Sequence, residues 1–303
     1  MICLFSFLLV SIACNNDKPG DVVFSVDILN VQGTRYSASN NSFDLTYSNF
    51  IEALNANQAI SILAEIDHSA NARAVGRVLN PTKIVFFGNP VLGTPLMQKN
   101  QLAGLDLPQK VLFFENNDAL VYAMYNAVAY LNSRYELLDI STLEPLSSAL
   151  ENLTNTATNA EVQRAGNLIV ETREGIITIE SNRNFEQTYS NLENAISSDE
   201  KLQIFVQLDH QANAESVGME LRPTKLIIFG SPNLETPLMQ NSQTAGLDLP
   251  LKMLIWEDQD GSVKISYNDP LYLQRRHGIN GNETQLQQIA TILEILSTAA
   301  AGN

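Results

Sequence analysis

At 303 residues the chain is long enough for two domains, each able to bury its own core. A formal charge of −15, with no basic run anywhere, excludes binding to nucleic acid or anionic headgroups through surface charge. The two cysteines, Cys3 and Cys14, both stand near the N-terminus, which leaves the body of the chain without a disulfide or a reactive thiol.

The apolar run from Met1 to Cys14 is too short for a bilayer, which needs about 20 such residues. It reads as an export signal over residues 1–13. Ser11-Ile12-Ala13-Cys14 resembles a bacterial lipobox, whose cysteine receives lipid after cleavage, with Ser11 where leucine is usual. That resemblance implies a lipid anchor on Cys14, a tether over residues 14–21 and a place on the bacterial cell envelope, facing periplasm or exterior. An ordinary cleaved signal is the alternative.

Beyond the tether the chain repeats itself. Asp67 to Glu115 aligns with Asp209 to Glu257 at a constant offset, 209 − 67 = 142, with about three positions in five identical. This divides the chain into a first domain over 22–153, a small, polar linker over 154–167 and a second domain over 168–303.

Each copy opens on strand-like residues around a turn. In the first these are Val22 to Val31, Gln32-Gly33 and Arg35 to Ser39; in the second, Leu168 to Glu171, Glu174-Gly175 and Ile176 to Ser181. Phe43 to Asn55 and Phe185 to Ser197 carry apolar residues three and four apart (Phe185, Tyr189, Leu192, Ile196), the spacing of a helix packed on a sheet. In the strand that follows, Leu202, Ile204, Val206 and Leu208 share one face, opposite Gln203, Gln207 and Asp209. Carried on, the alternation puts His210, like His68, on the apolar face, away from the neighbouring aspartate; the two are therefore not a coupled acid–base pair.

Asp67 and Asp209 are expected to cap short helices that close before Pro81 and Pro223. Lys83 to Phe87 and Lys225 to Phe229 predict strands buried on both faces, one covered by the copy's own helices and the other by its sister. Thr94-Pro95 and Thr236-Pro237 predict the start of a loop helix that Gly104 or Gly246 ends. Lys252 to Glu257 and Val263 to Tyr267 read as a hairpin around Asp260-Gly261, and Leu143 to Leu153 and Leu286 to Ala299 as closing helices.

The motifs I-D-H-x-A-N-A, P-T-K, F-G-x-P, T-P-L-M-Q, A-G-L-D-L-P-x-K and Y-N-D-P-x-Y-L resemble the domain-of-unknown-function 302 family, in two tandem copies covering nearly everything after the tether. The resemblance implies an α+β domain of β-α-β(4)-α order with an antiparallel sheet, similar to the TATA-binding protein, plus a short extra helix and a loop helix in each copy. Neither an activity nor nucleic-acid binding follows from that likeness. Tyr267-Asn268-Asp269-Pro270 fits the family motif, whereas the first copy has Tyr125-Asn126-Ala127-Val128, and Ala119 stands opposite Gly261. If Asp269 serves a site, the second copy is where to look for it.

His68 and His210, at strand ends, are the leading candidates, against the competing role of a buried histidine bonded to backbone. Lys83 and Lys225 either snorkel to water or pair with Asp106 or Asp248. Met97 and Met239 with a histidine make a donor set for copper or haem iron, although methionine more often fills gaps. No zinc-type spacing, phosphate loop or nucleophile elbow occurs, so no metal or cofactor is expected, with metal or haem kept as an alternative.

The expected function is a non-enzymatic domain pair that binds a small apolar or partly acidic ligand, or an envelope protein, between sheet and loop helix. Its candidate contacts are His68, His210, Lys83, Lys225, Met97, Met239 and Asp248. The alternative is an enzyme using His210 as acid or base near Asp269, Asp248 or Lys225. A second titratable group within reach of His210 would favour chemistry; a sealed ring bonded only to backbone would remove the histidine from both. The two copies are expected to pack as a pseudo-twofold pair.

Overall fold

The computed structural model describes residues 29–302. The export signal, Cys14, the tether and most of the first expected strand lie outside the described residues. The first half runs β1 (Thr34–Ala38), α1 (Phe43–Asn55), β2 (Ser61–Asp67), α2 (His68–Ala74), β3 (Thr82–Gly88), α3 (Pro90–Lys99), a 3-10 turn (Gln101–Leu105), β4 (Gln109–Glu115), β5 (Val121–Asn126), α4 (Val128–Tyr135), α5 (Leu143–Thr158) and β6 (Gln163–Arg164). The second half repeats the order as β7 (Ile176–Ser181), α6 (Phe185–Ser197), β8 (Gln203–Asp209), α7 (His210–Ser216), β9 (Thr224–Gly230), α8 (Pro232–Asn241), a 3-10 turn (Gln243–Leu247), β10 (Leu251–Glu257), β11 (Val263–Asn268), α9 (Pro270–His277) and α10 (Glu283–Ala301).

These elements make an α+β fold with two antiparallel sheets, ordered β2-β3-β4-β5-β1-β6 and β7-β11-β10-β9-β8. The registers match between halves: Val85 faces Val111 across β3 and β4, and Ile227 faces Met253 across β9 and β10. The helix-spaced apolar residues of α1 and α6 are what each sheet buries on its outer face. Phe50 of α1 sits with its ring centre 5.5 Å from Phe87 and 4.9 Å from Phe113. A fully buried aromatic of this kind contributes about 1.5–3 kcal/mol.

The inner faces of β3 and β9 are covered from across the chain. Each 3-10 turn lies on the other half's sheet, where Gln101 Nε2 donates to Thr224 Oγ1 at 2.8 Å and Gln243 Nε2 to Thr82 Oγ1 at 2.7 Å. This crossing explains the unbroken apolar runs of the two strands: neither face meets water.

Four local expectations differ from the structure. Leu168 to Glu171 forms no strand, because its backbone is engaged by α4: Val170 N donates to Ser133 Oγ at 3.1 Å. The stretch expected as a linker is partly regular, since α5 continues to Thr158 and Gln163–Arg164 pairs with β1. The loop helices begin about one turn before Thr94 and Thr236. Pro90 and Pro232 take the first helical position, where a missing N–H costs nothing, and Asn89 accepts from Val91 N at 3.0 Å. Pro95 and Pro237 therefore lie inside their helices, and Gly104 and Gly246 sit in the 3-10 turns that follow. Finally, α4 and α9 are helices the apolar periodicity did not announce.

Candidate functional site

Strand alternation stops one residue before the histidines. Asp67 and Asp209 cap α2 and α7, accepting from Ala70 N at 2.7 Å and from Ala212 N at 2.9 Å. His68 and His210 are the first residues of these helices, and both are buried. Each ring crosses to the opposite copy. His210 Nε2 lies 3.3 Å from the Gly104 carbonyl, while His68 packs on Gly246 and faces the Gly246 and Leu249 backbone. Burial, only partly opposed by those carbonyls, lowers both histidines to a pKa of about 4. Burial thus favours the neutral His210 ring, which rests with Nε2 near the Gly104 carbonyl.

Other sequence candidates fall elsewhere. Met97 and Met239 are core residues that share the glycine contacts: a Cβ at Gly104 would lie 3.3 Å from Met97 Sδ and 3.4 Å from His210 Cδ2. Histidine and methionine from opposite copies therefore pack on the same glycine. Among the described residues, however, no group of three or more His, Cys, Asp or Glu is placed to hold a metal. Lys83 and Lys225 do not pair with Asp106 or Asp248. They lie on the α1 and α6 side of the sheets, 3.9 Å from Asp67 and 3.2 Å from Glu186, over the rings of Tyr47 and Tyr189. Asp269 caps α9, accepting from Leu271 N at 2.9 Å.

What does surround Asp106 and Asp248 is a buried network between the halves. Arg134 donates to Asp106 at 2.7 Å and crosses to Asn268 at 2.9 Å; Arg276 donates to Asp248 at 2.6 Å and crosses to Asn126 at 2.7 Å. Lys110 lies 3.1 Å from Asp106 and 3.6 Å from Asp248, and Lys252 lies 3.5 Å from Asp106. Tyr130 and Tyr272 meet at 3.3 Å between their hydroxyls. Burial alone would raise both carboxyls, but Lys110, Lys252 and Arg134 hold Asp106, and Arg276, His277 and Lys110 hold Asp248, well below the usual range.

Four cationic side chains thus face two carboxylates, an excess of 4 − 2 = 2 positive charges when both lysines are protonated. Burial first, then the Lys110 ammonium, pushes Lys252 down from its ordinary value. Desolvation offsets most of what such pairs gain, while removing one partner leaves a costly stranded charge. The network therefore locks the two halves in register.

The first domain also holds a cavity of about 130 Å3, between β2, the start of α3 and the chain entering β4. Leu63, Gly93, Met97 and Leu146 supply apolar wall, and the second half contributes Leu208 and His210. Two polar groups line it without a partner: Thr94 Oγ1 and Gln109 Nε2, on residues only 1% and 5% exposed. A buried polar atom left unpaired costs about 1–3 kcal/mol, so Gln109 Nε2 invites a ligand or an ordered water, whereas the Thr94 hydroxyl is matched by an equally unpartnered Thr236 Oγ1 in the other half.

In the second half the same place is filled. Gly93 becomes Glu235 at the constant offset, 235 − 93 = 142, while Leu63 becomes Phe205 and Gln109 becomes Leu251. The Glu235 carboxyl lies against Gly230 and accepts from Leu251 N at 3.2 Å; the counterparts of these residues, Gly88 and Gln109, both line the first-half cavity. Burial pushes Glu235 up to about 8, only partly offset by the Leu251 amide, so it is protonated at neutral pH.

The domain of unknown function DUF302 matches residues 35–157 and again 177–296. The chain belongs to the DUF302 family. A fluoride-specific ion channel, FluC 1 of Brucella suis biovar 1 (strain 1330), is 36% identical over 130 residues, which is 43% of this chain and 51% of that protein. FluC 1 of Brucella abortus biovar 1 (strain 9-941) is 36% identical over the same length, 48% of its own. The chain therefore spans about half the length of the curated relatives it matches. A crystal structure of an uncharacterized conserved DUF302 protein from Bacillus stearothermophilus is 16% identical, covering 42% of this chain and 98% of that one with a TM-score of 0.38.

Both DUF302 copies carry the network residues at the same offset: Asp106 and Asp248, Lys110 and Lys252, Asn126 and Asn268, Tyr130 and Tyr272, Arg134 and Arg276. Sequence reasoning missed all but the aspartates, because a lysine or arginine in a DUF302 copy looks like surface until its partners are seen. Their identity across the repeat was the available signal.

Proposed function

We propose that this tandem DUF302 protein is a non-enzymatic binding protein whose first domain takes a small, largely apolar ligand in the cavity walled by α3, β4 and the second domain. The observation that carries this reading is the unpartnered buried amide Gln109 Nε2 beside an apolar wall of Leu63, Met97, Leu146 and Leu208, at a position that is Leu251 in the filled second half. Small-molecule sites are commonly of this kind, apolar walls with a few convergent polar atoms. An apolar cavity of roughly 150 Å3 holds benzene, so a ligand of about six heavy atoms fits the volume. The bonding of His210 to backbone is the reason the reading includes no acid–base step.

The test is ligand-observed NMR of the full chain with benzene, indole and short acids and alcohols, comparing wild type with Gly93→Glu, which copies the filling of the second domain. Binding by the wild type that disappears in a Gly93→Glu protein of unchanged circular-dichroism melt is the expected result. Equal binding by both proteins, or none by either for every probe, would sink the reading.

The lipobox-like Ser11-Ile12-Ala13-Cys14 assigns the cavity to the bacterial envelope in this proposal, held to the membrane through lipid on Cys14. Cys14→Ser should then release the protein from the membrane fraction; unchanged fractionation would count against the anchor. Fluoride conduction is not carried over from the Brucella relatives, because the chain spans only about half their length.

A further inference from the structure

The second domain shows what its sister's cavity accommodates, because one of its own side chains occupies the matching space. Glu235 stands where Gly93 leaves the first domain open, and its carboxyl is seated on Gly230 and the Leu251 amide, the counterparts of Gly88 and Gln109. Taken from Cβ to the carboxyl, the Glu235 side chain is propanoic acid joined to the backbone. We propose that the first-domain cavity binds a short-chain monocarboxylic acid, with its carboxyl where the Glu235 carboxyl lies in the second domain. This rests on the small-ligand reading above and adds the chemical class.

Three observations support the acid over other small molecules. First, the first domain has more to offer a carboxyl than its sister does. Where the second has only Leu251 and its amide, the first adds the Gln109 side chain, whose Nε2 donor is unpartnered and lines the cavity. Second, Thr94 Oγ1 is unpartnered, as its counterpart Thr236 Oγ1 is in the second domain, so both copies keep a hydroxyl that donates to or accepts from either form of an acid. Third, the volume sets the chain length. At about 130 Å3 the cavity is slightly smaller than one that holds benzene, which admits the five heavy atoms of propanoate or the six of butanoate. Leu63, Met97 and Leu146 give the alkyl tail an apolar wall, and the site is open to solvent on one side.

Calorimetric titration of the full chain with propanoate and butanoate, and with 1-propanol and 1-butanol, tests the class. The acids should bind at one site, more tightly as the pH falls and the neutral acid becomes abundant, with the matched alcohols about tenfold weaker at low pH, the penalty expected for losing one hydrogen bond. Gln109→Leu, the second domain's residue, should weaken acid binding about tenfold while leaving alcohol binding unchanged. In a second arm, Glu235→Gly vacates the matching place, and added propanoate should restore part of the lost melting temperature, more than propanol does.

Alcohols binding as tightly as acids, with both lost in Gly93→Glu, would overturn the carboxylic-acid assignment and leave the small-ligand reading standing. Absence of binding by acids, alcohols, benzene and indole alike would overturn both. Acid binding that persists in Gly93→Glu would place the acid outside the cavity and also defeat the assignment.

Discussion

The two halves share one backbone plan and differ in what occupies one place within it. At position 93 the first half has a glycine and an open cavity; at position 235 the second has a glutamate folded into the matching space. The buried network, by contrast, is nearly the same from both sides, with Tyr135 of one half matched by His277 of the other. The lesson is that the contact between the halves fixes the scaffold, while a few wall residues decide whether a cavity exists. The cavity is thus adjustable at positions whose side chains make none of the network's bonds.

The comparison is most sharply tested at the network. Arg134→Met and Arg276→Met each remove one charged bond to a buried aspartate and the crossing bond to Asn268 or Asn126, while Lys110 stays beside both carboxylates, and each should cost about 1.5–3 kcal/mol in chemical denaturation. Near-equal losses would support equivalent roles; a loss confined to one half would break the equivalence. Next comes Glu235. Its folded pKa of about 8 lies above the ordinary 4.5, so its contribution to stability is fully present below pH 4.5 and is lost as pH rises through about 8. In that window the wild type should lose about 1.4 kcal/mol per pH unit relative to Glu235→Gln, and parallel stability–pH curves would show that the carboxyl is not buried. The smallest effect belongs to the hairpin turn. Ala119 has φ 58°, where its counterpart Gly261 has φ 82°, so Ala119→Gly should stabilise the first half by about 0.5–1 kcal/mol, read as a raised melting temperature.

Much of the fold was legible because the apolar spacing is regular: α1 and α6 have the bounds their periodicity indicated, Phe43–Asn55 and Phe185–Ser197. The loop helices began early because two prolines compete for the first position, and Pro90 and Pro232 win over Pro95 and Pro237. α4 and α9 were hidden because each turns polar residues, Arg134 or Arg276, into the interior, which inverts the usual pattern of an apolar buried stripe. The site was less legible than the fold. His68 and His210 looked chemical because they interrupt apolar strands, yet they are fitted against glycines of the opposite half, a contact no local pattern displays. The Gly93-to-Glu235 difference was visible in the sequence, but its meaning required knowing that the Leu251 amide and Gly230 converge on one place.

The crossing of each 3-10 turn onto the opposite sheet has a consequence for how strong that interface must be. The segment joining α5 to β7 makes closure an intramolecular event, and a short linker supplies an effective concentration of about 1 mM. Against that figure, separated halves with a mutual Kd of about 10 µM would remain closed about 99% of the time once joined. Tethering adds to an interface that is also apolar, since Leu226, Ile228 and Leu254 of the second half share one core cluster with Ile84 and Leu112 of the first.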